Sequence, residues 1–239
     1  MRKYVIGFAL LLVNGCGTGP EDSTPHAVID ADASRWSEPR HIPICFVNRR
    51  MVSEEIYKDL LETAVQQYAR VGVYFERWRD CENADFSRSI IRVKFKLSHN
   101  WDGSGRYTYG GGKSKVGMTS RALSNENGAT LWIGMDDHYP AQSGQKRDTV
   151  IAGTRSAFIH EIGHALGLLH EHTRTDYRPD DGECDAGEEH ANVSERPDRI
   201  DYIGRPDYDS VMSYCNLKVQ RLSFGDLAGI RALYPELKN

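Results

Sequence analysis

Apolar residues follow two rhythms along this chain of 239 residues. At Ile42, Ile44 and Phe46 they alternate, the period of a strand with one buried face. At Ile56, Leu60, Ala64, Tyr68 and Val71 they recur every three or four residues, which predicts a helix. Ser53 stands at its cap position, Glu54 and Glu55 lie at the positive end of its dipole, and Gly72 closes it. Three further strands are predicted within "VGVYFERW", "SIIRVKFKL" and "ATLWIGM". Between the last two lies "NWDGSGRYTYGGGKSKVGMTS", too rich in glycine for a helix and long enough to be a working loop. A second long helix carries Phe158, Ile162, Ala165, Leu166 and Leu169 as an apolar stripe, with Thr154 as its candidate cap. A short helix over "SFGDLAGIRALY" ends the pattern. This order predicts an α+β domain, a small mixed sheet with helix packed on one face.

The N-terminal stretch changes the setting rather than the fold. Arg2 and Lys3 precede an apolar run from Val5 to Val13, too short to span a bilayer and sized for a signal-peptide core. Its ending, "LVNGC", resembles a bacterial lipobox, in which the cysteine is lipidated and becomes the first residue. The expected organisation is a lipoprotein signal peptide over 1–15, a polar tether over 16–34 and one folded domain over 35–239. An ordinary secretory signal, with Cys16 incidental, is the alternative. Both export the chain, and Gly17 after Cys16 favours, by the same resemblance, retention at the outer membrane.

Export makes disulfides of the remaining cysteines, Cys45, Cys81, Cys184 and Cys215. Of the three pairings, Cys45–Cys81 and Cys184–Cys215 are favoured. The first ties the opening strand to the end of the next, and the second pins an acidic loop. That loop gathers Asp180, Asp181, Glu183, Asp185, Glu188 and Glu189. It reads as a solvated segment; calcium is the sharper alternative, but the spacing of an EF-hand loop is absent. A net charge of −4 with no basic cluster argues against a nucleic-acid partner.

Four of the nine histidines lie between 160 and 172. In "HEIGHALGLLH", His160 and His164 are four apart and project from one helix face. Glu161 is rotated by about 100° from His160, so it flanks a metal held by the pair and is placed as a general base. Gly167 lets the helix end and the chain turn, returning His170 as a third ligand. Three neutral imidazoles leave the fourth position of a tetrahedral zinc ion for water, whose pKa zinc lowers to about 7. His172, outside the pattern, reads as a hydrogen-bonding surface group.

These residues resemble the metzincin zinc peptidases, and "HEIGHALGLLHEHTRTD" is most similar to the astacin branch, where glutamate, here Glu171, follows the third histidine. "DSVMSYC" resembles the Met-turn of that group. The resemblance implies Met212 as an apolar floor under the zinc and Tyr214 as the tyrosine beside it, donating to the oxyanion. It also implies a twisted mixed sheet, two long helices, an irregular C-terminal lobe and a cleft with zinc at its base. A substrate strand would pair with the sheet edge around Lys115 to Thr119. "HEIGHALGL" and "SVMSY" suit serralysins too, but their glycine–aspartate repeats are missing. Neither a matrixin cysteine switch nor an astacin propeptide motif is found, and Asp30 or Asp32 could mask the zinc. In astacins the glutamate after the third histidine meets a freshly cleaved N-terminus, which an uncut, lipidated Cys16 would prevent.

The implied function is a zinc endopeptidase acting on protein or peptide substrates, with water activated by Glu161. The chain is expected to be monomeric and anchored to a membrane through Cys16. The alternative is an exported zinc-binding lipoprotein with a binding or structural role. Glu161 discriminates, because a binding module needs the ligands and not the base.

Overall fold

A computed structural model describes residues 27–30, 35–97, 112–114, 128–135, 147–177, 200–213 and 219–237. Its strands are β1 (Ala27–Asp30), β2 (Ile42–Phe46), β3 (Phe75–Asp80), β4 (Ile90–Leu97), β5 (Gly112–Lys113), β6 (Gly128–Met135) and β7 (Ile200–Ile203). Its α-helices are α1 (Glu54–Ala69), α2 (Arg147–Leu166) and α3 (Phe224–Leu233).

Five strands form one sheet in the order β3-β2-β4-β6-β5. All pair in parallel except β5, which runs antiparallel to β6 at the edge. The parallel strands are apolar at their inward positions, with Ile42, Ile44, Ile91, Val93, Phe95, Leu131 and Ile133 all buried in one core. α1 and α2 pack beside each other, and α2 lies against β6. Ser53 caps α1 by accepting from the Ile56 N–H, as its place in the sequence required. Gly72 takes φ 82°, so the chain turns directly from α1 into β3. A disulfide joins Cys45 of β2 to Cys81, one residue beyond β3.

Two elements depart from the sequence pattern. The polar tether expected over 16–34 contains β1, which pairs antiparallel with β7 in a separate two-stranded sheet. Ala27 is buried in that position. The second helix starts at Arg147, seven residues before the candidate cap Thr154, which sits buried inside it. Threonine is a poor helix former but a tolerated one, and tertiary packing of this helix overrides its local preference.

From Ala157 in α2 to Leu168, just past its end, the chain is buried on all sides rather than along one stripe. A helix end sunk into a core must find partners for its last four carbonyls. Here each has one. Gly163 and His164 carbonyls accept from the Leu168 and Gly167 N–H groups at 3.0 and 2.9 Å. The Ala165 carbonyl accepts from the Trp36 indole at 2.8 Å, and the Leu166 carbonyl from the Tyr234 hydroxyl at 2.9 Å. The two ends of the described domain thus clamp the helix that carries the histidines.

Candidate metal centre

His160 and His164 occupy successive turns of α2, with ring centroids 4.7 Å apart. Gly167 takes φ 113°, a backbone conformation open to glycine, and ends the helix there. The chain folds back and sets His170 Nε2 at 3.1 Å from His160 Nε2 and 2.9 Å from His164 Nε2. The three ligand nitrogens lie within 4.8 Å of one another, and among the described residues no other cluster of potential metal ligands forms.

The outer contacts of two rings fix their tautomers. His160 Nδ1 lies 2.8 Å from the Val211 carbonyl, and His164 Nδ1 lies 2.8 Å from the Leu168 carbonyl. A carbonyl only accepts, so each Nδ1 carries the proton and donates it, leaving the Nε2 lone pair facing inward. Burial holds His164 neutral, well below the ordinary histidine range, reinforced by the neighbouring His160 and His170. Converging lone pairs repel each other unless a cation lies between them. A tetrahedral zinc ion with Zn–N bonds of 2.0–2.1 Å spaces its nitrogens by about 3.3 Å, close to the separations found. The donor set fits zinc.

Glu161 is 3% exposed, and its Oε2 has no hydrogen-bond partner among the described residues. Burial raises its carboxyl to about 8. Met212, the predicted floor, is buried beneath α2, where its Sδ would lie only 2.5 Å from a Cβ placed on Gly163. Only glycine at 163 lets helix and turn approach this closely. The turn itself is braced from α3. Asp226 accepts from Ser210 Oγ at 2.6 Å, from the Val211 N–H at 3.1 Å and from the Ser223 N–H at 2.9 Å. Val211 is the residue that orients His160, so the brace reaches a ligand through one step. Asp226 escaped the sequence reading, although "SFGD" has the S-x-x-D form of a capping box, which it makes with Ser223.

The segment after His170 is also buried. His172, expected at the surface, is 3% exposed and stacks on His170, with centroids 5.1 Å apart. Glu171 is 1% exposed, accepts from the Asp207 N–H at 2.9 Å and lies 3.6 Å from Arg174 Nε. Burial still pushes its carboxyl up to about 8. Arg174, 1% exposed, binds Asp176 through two nitrogens and donates to the carbonyls of Ala27, Ile203 and Gly204. It therefore fastens β1 and β7 to the loop that supplies the third histidine. No periodicity marks Arg174 in the sequence, because a charged residue ordinarily reads as exposed. Tyr214, Cys184, Cys215, Cys16, Lys115 to Thr119 and the acidic loop lie outside the described residues.

The same segment carries the likeness to known proteins. Residues 151–226, which hold the histidines and the Met212 turn, match the Astacin peptidase family. Zinc metalloproteinase nas-39 of Caenorhabditis elegans is 31% identical over an alignment of 77 residues, a match that covers 28% of this chain. The match spans only 8% of that relative's length. The solved structure of myroilysin superposes with a TM-score of 0.52 at 18% identity, covering 87% of this chain and 98% of that one. High choriolytic enzyme 1, a hatching-enzyme zinc protease from Oryzias latipes (medaka fish), superposes with a TM-score of 0.45 at 17% identity, over 86% of this chain and 94% of that one. The likeness to myroilysin shows the fold alone, an α+β domain with a mixed sheet and two long helices.

Proposed function

We propose that this chain is a zinc-dependent endopeptidase of the astacin type, in which His160, His164 and His170 hold the metal and Glu161 is the general base. One observation carries the reading. His170 Nε2 lies 3.1 and 2.9 Å from Nε2 of His160 and His164, and the residue after His160 is a buried Glu161 whose Oε2 no described protein group satisfies. A site built only to hold zinc has no use for that carboxylate, and burying it is costly.

Zinc bound there supplies Lewis acidity, acidifying water and polarising a carbonyl. Glu161 accepts a proton from the attacking water and returns it to the departing amine. Burial raises its carboxyl in the metal-free fold, and a bound zinc ion would draw it back toward the carboxylate form that a base needs. The Nδ1 bonds to Val211 and Leu168 hold two ligand rings in place through the cycle. Tyr214 follows Ser213 and is proposed to donate to the oxyanion as charge develops. At the sheet edge, β5 offers a strand against which an extended substrate can pair.

The Cys45–Cys81 disulfide is consistent with an oxidising compartment, and export with anchoring through Cys16 is proposed from the lipobox-like "LVNGC". Activity is tested by incubating the purified chain with unfolded casein, alone, with a chelator, and with chelator followed by zinc. Internal cleavage, its loss and its return are expected. Cleavage that survives full zinc removal contradicts the reading.

A further inference from the structure

Away from the histidines, Arg40, Arg70 and Arg231 line a cavity of about 460 Å³. Val71, Tyr74 and Leu237 supply its apolar wall. The cavity shares no residue with the metal centre, and its volume is that of a ligand site. Each arginine is oriented from a distant part of the chain. Arg40 donates to the Glu236 carbonyl at 3.0 Å, Arg70 to the Leu222 carbonyl at 2.8 Å, and Arg231 to the Arg70 carbonyl at 3.3 Å. Arg70 also reaches Gln67 Oε1 at 3.1 Å.

All these acceptors are neutral. Among the described residues none of the three guanidiniums forms an ion pair, although other arginines of the domain do. Glu236 contributes only its carbonyl, and its carboxylate pairs with none of them. A guanidinium has five donors in a planar fork. Three such forks, each tethered by one or two bonds, keep most of their donors for something else. Their backbone tethers spare a ligand part of the cost of ordering them. Tyr74, half exposed at this site, adds an apolar surface of the kind that covers side-chain methylenes.

We propose that this cavity binds the carboxylates of an acidic peptide segment, and that it engages substrate proteins at a distance from the scissile bond. The first part stands alone; the second rests on the peptidase reading. Fork-shaped donors match carboxylate oxygens two at a time, and the apolar wall accommodates the hydrocarbon part of glutamate, which inorganic phosphate lacks.

The test uses the full zinc-loaded chain carrying Glu161→Gln, so that peptides stay intact during calorimetry. The probes are hexaglutamate, hexaglutamine and inorganic phosphate. Hexaglutamate is expected to bind with an affinity that falls as salt rises, and hexaglutamine is not. Arg70→Gln and Arg231→Gln should each weaken hexaglutamate binding about tenfold or more. Arg40→Gln, at an exposed position, supplies the same readout should either of the others fail to fold. Unchanged affinity in these variants, equal binding of hexaglutamine, or binding of phosphate without hexaglutamate overturns the proposal. In a cleavage assay on the Glu161 chain, the arginine variants should raise KM for a substrate with a remote acidic run and leave kcat unchanged. An unchanged KM overturns the substrate assignment. Absence of cleavage by the Glu161 chain while hexaglutamate still binds faults the peptidase reading and upholds the pocket.

Discussion

Replacing Glu161, the proposed general base, with glutamine should stabilise the metal-free fold. Burial raises the Glu161 carboxyl to about 8, from an ordinary value near 4.5. The folded chain therefore binds this proton more tightly than the unfolded chain does. The contribution of Glu161 to stability is undiminished below 4.5 and declines as pH rises toward 8, where the fold must bury a charge. The full displacement corresponds to about 5 kcal/mol. Glutamine has nearly the same shape and no charge at any pH, so Glu161→Gln removes this decline. Between pH 5 and pH 9 the stability of zinc-free Glu161→Gln relative to wild type should rise by about 4 kcal/mol. Glu171, raised to about 8 by its own burial, is present in both proteins and drops out of the difference. Urea unfolding in chelator, with the disulfide intact, measures the effect at each pH. Zinc should reverse it, since a nearby cation favours the carboxylate. A difference between the two proteins that is flat from pH 5 to pH 9 would refute the claim that this carboxylate is buried without compensation.

Three further outcomes are expected. Gly163→Ala puts a methyl 2.5 Å from Met212 Sδ, an overpacking cost of about 1–3 kcal/mol set against roughly 1 kcal/mol of gained helix propensity. Zinc affinity in a chelator competition should fall, and adding Met212→Ala should relieve part of the loss; strictly additive effects would show that the two residues do not touch. Tyr214→Phe should lower kcat by roughly 10²–10³ with zinc content and melting temperature unchanged, and full kcat would remove Tyr214 from the mechanism. Cys16→Ser should shift the protein from the membrane fraction to a soluble or unprocessed form, and unaltered fractionation with an unaltered N-terminal mass would exclude the anchor.

Local signals carried much of this molecule. Ser53, Glu54 and Glu55 marked the start of α1 because a cap needs only its own neighbours. The spacing of His160, His164 and Gly167 was enough to anticipate the convergence of three imidazoles, since helix geometry places side chains four apart on one face. What escaped depends on distant partners. The four residues of β1 are too few for a periodicity, and they form a strand only because β7 lies beside them. Thr154 looks like a cap until the packing of α2 is known. His172 and Arg174 are polar residues whose burial arises from β1, β7 and the third ligand meeting at one place. Cys45 and Cys81 could be paired on the argument that neighbouring strand ends meet, and the structure joins them.

Two proposed roles lie side by side in the sequence, ligand at His160 and base at Glu161. The most direct test measures zinc per chain and peptide cleavage together in Glu161→Ala and in His164→Ala. Glu161→Ala should retain one zinc per chain and lose essentially all cleavage, because the ligands remain and the base is gone; His164→Ala should lose both. Cleavage by zinc-loaded Glu161→Ala near the wild-type rate would contradict the account.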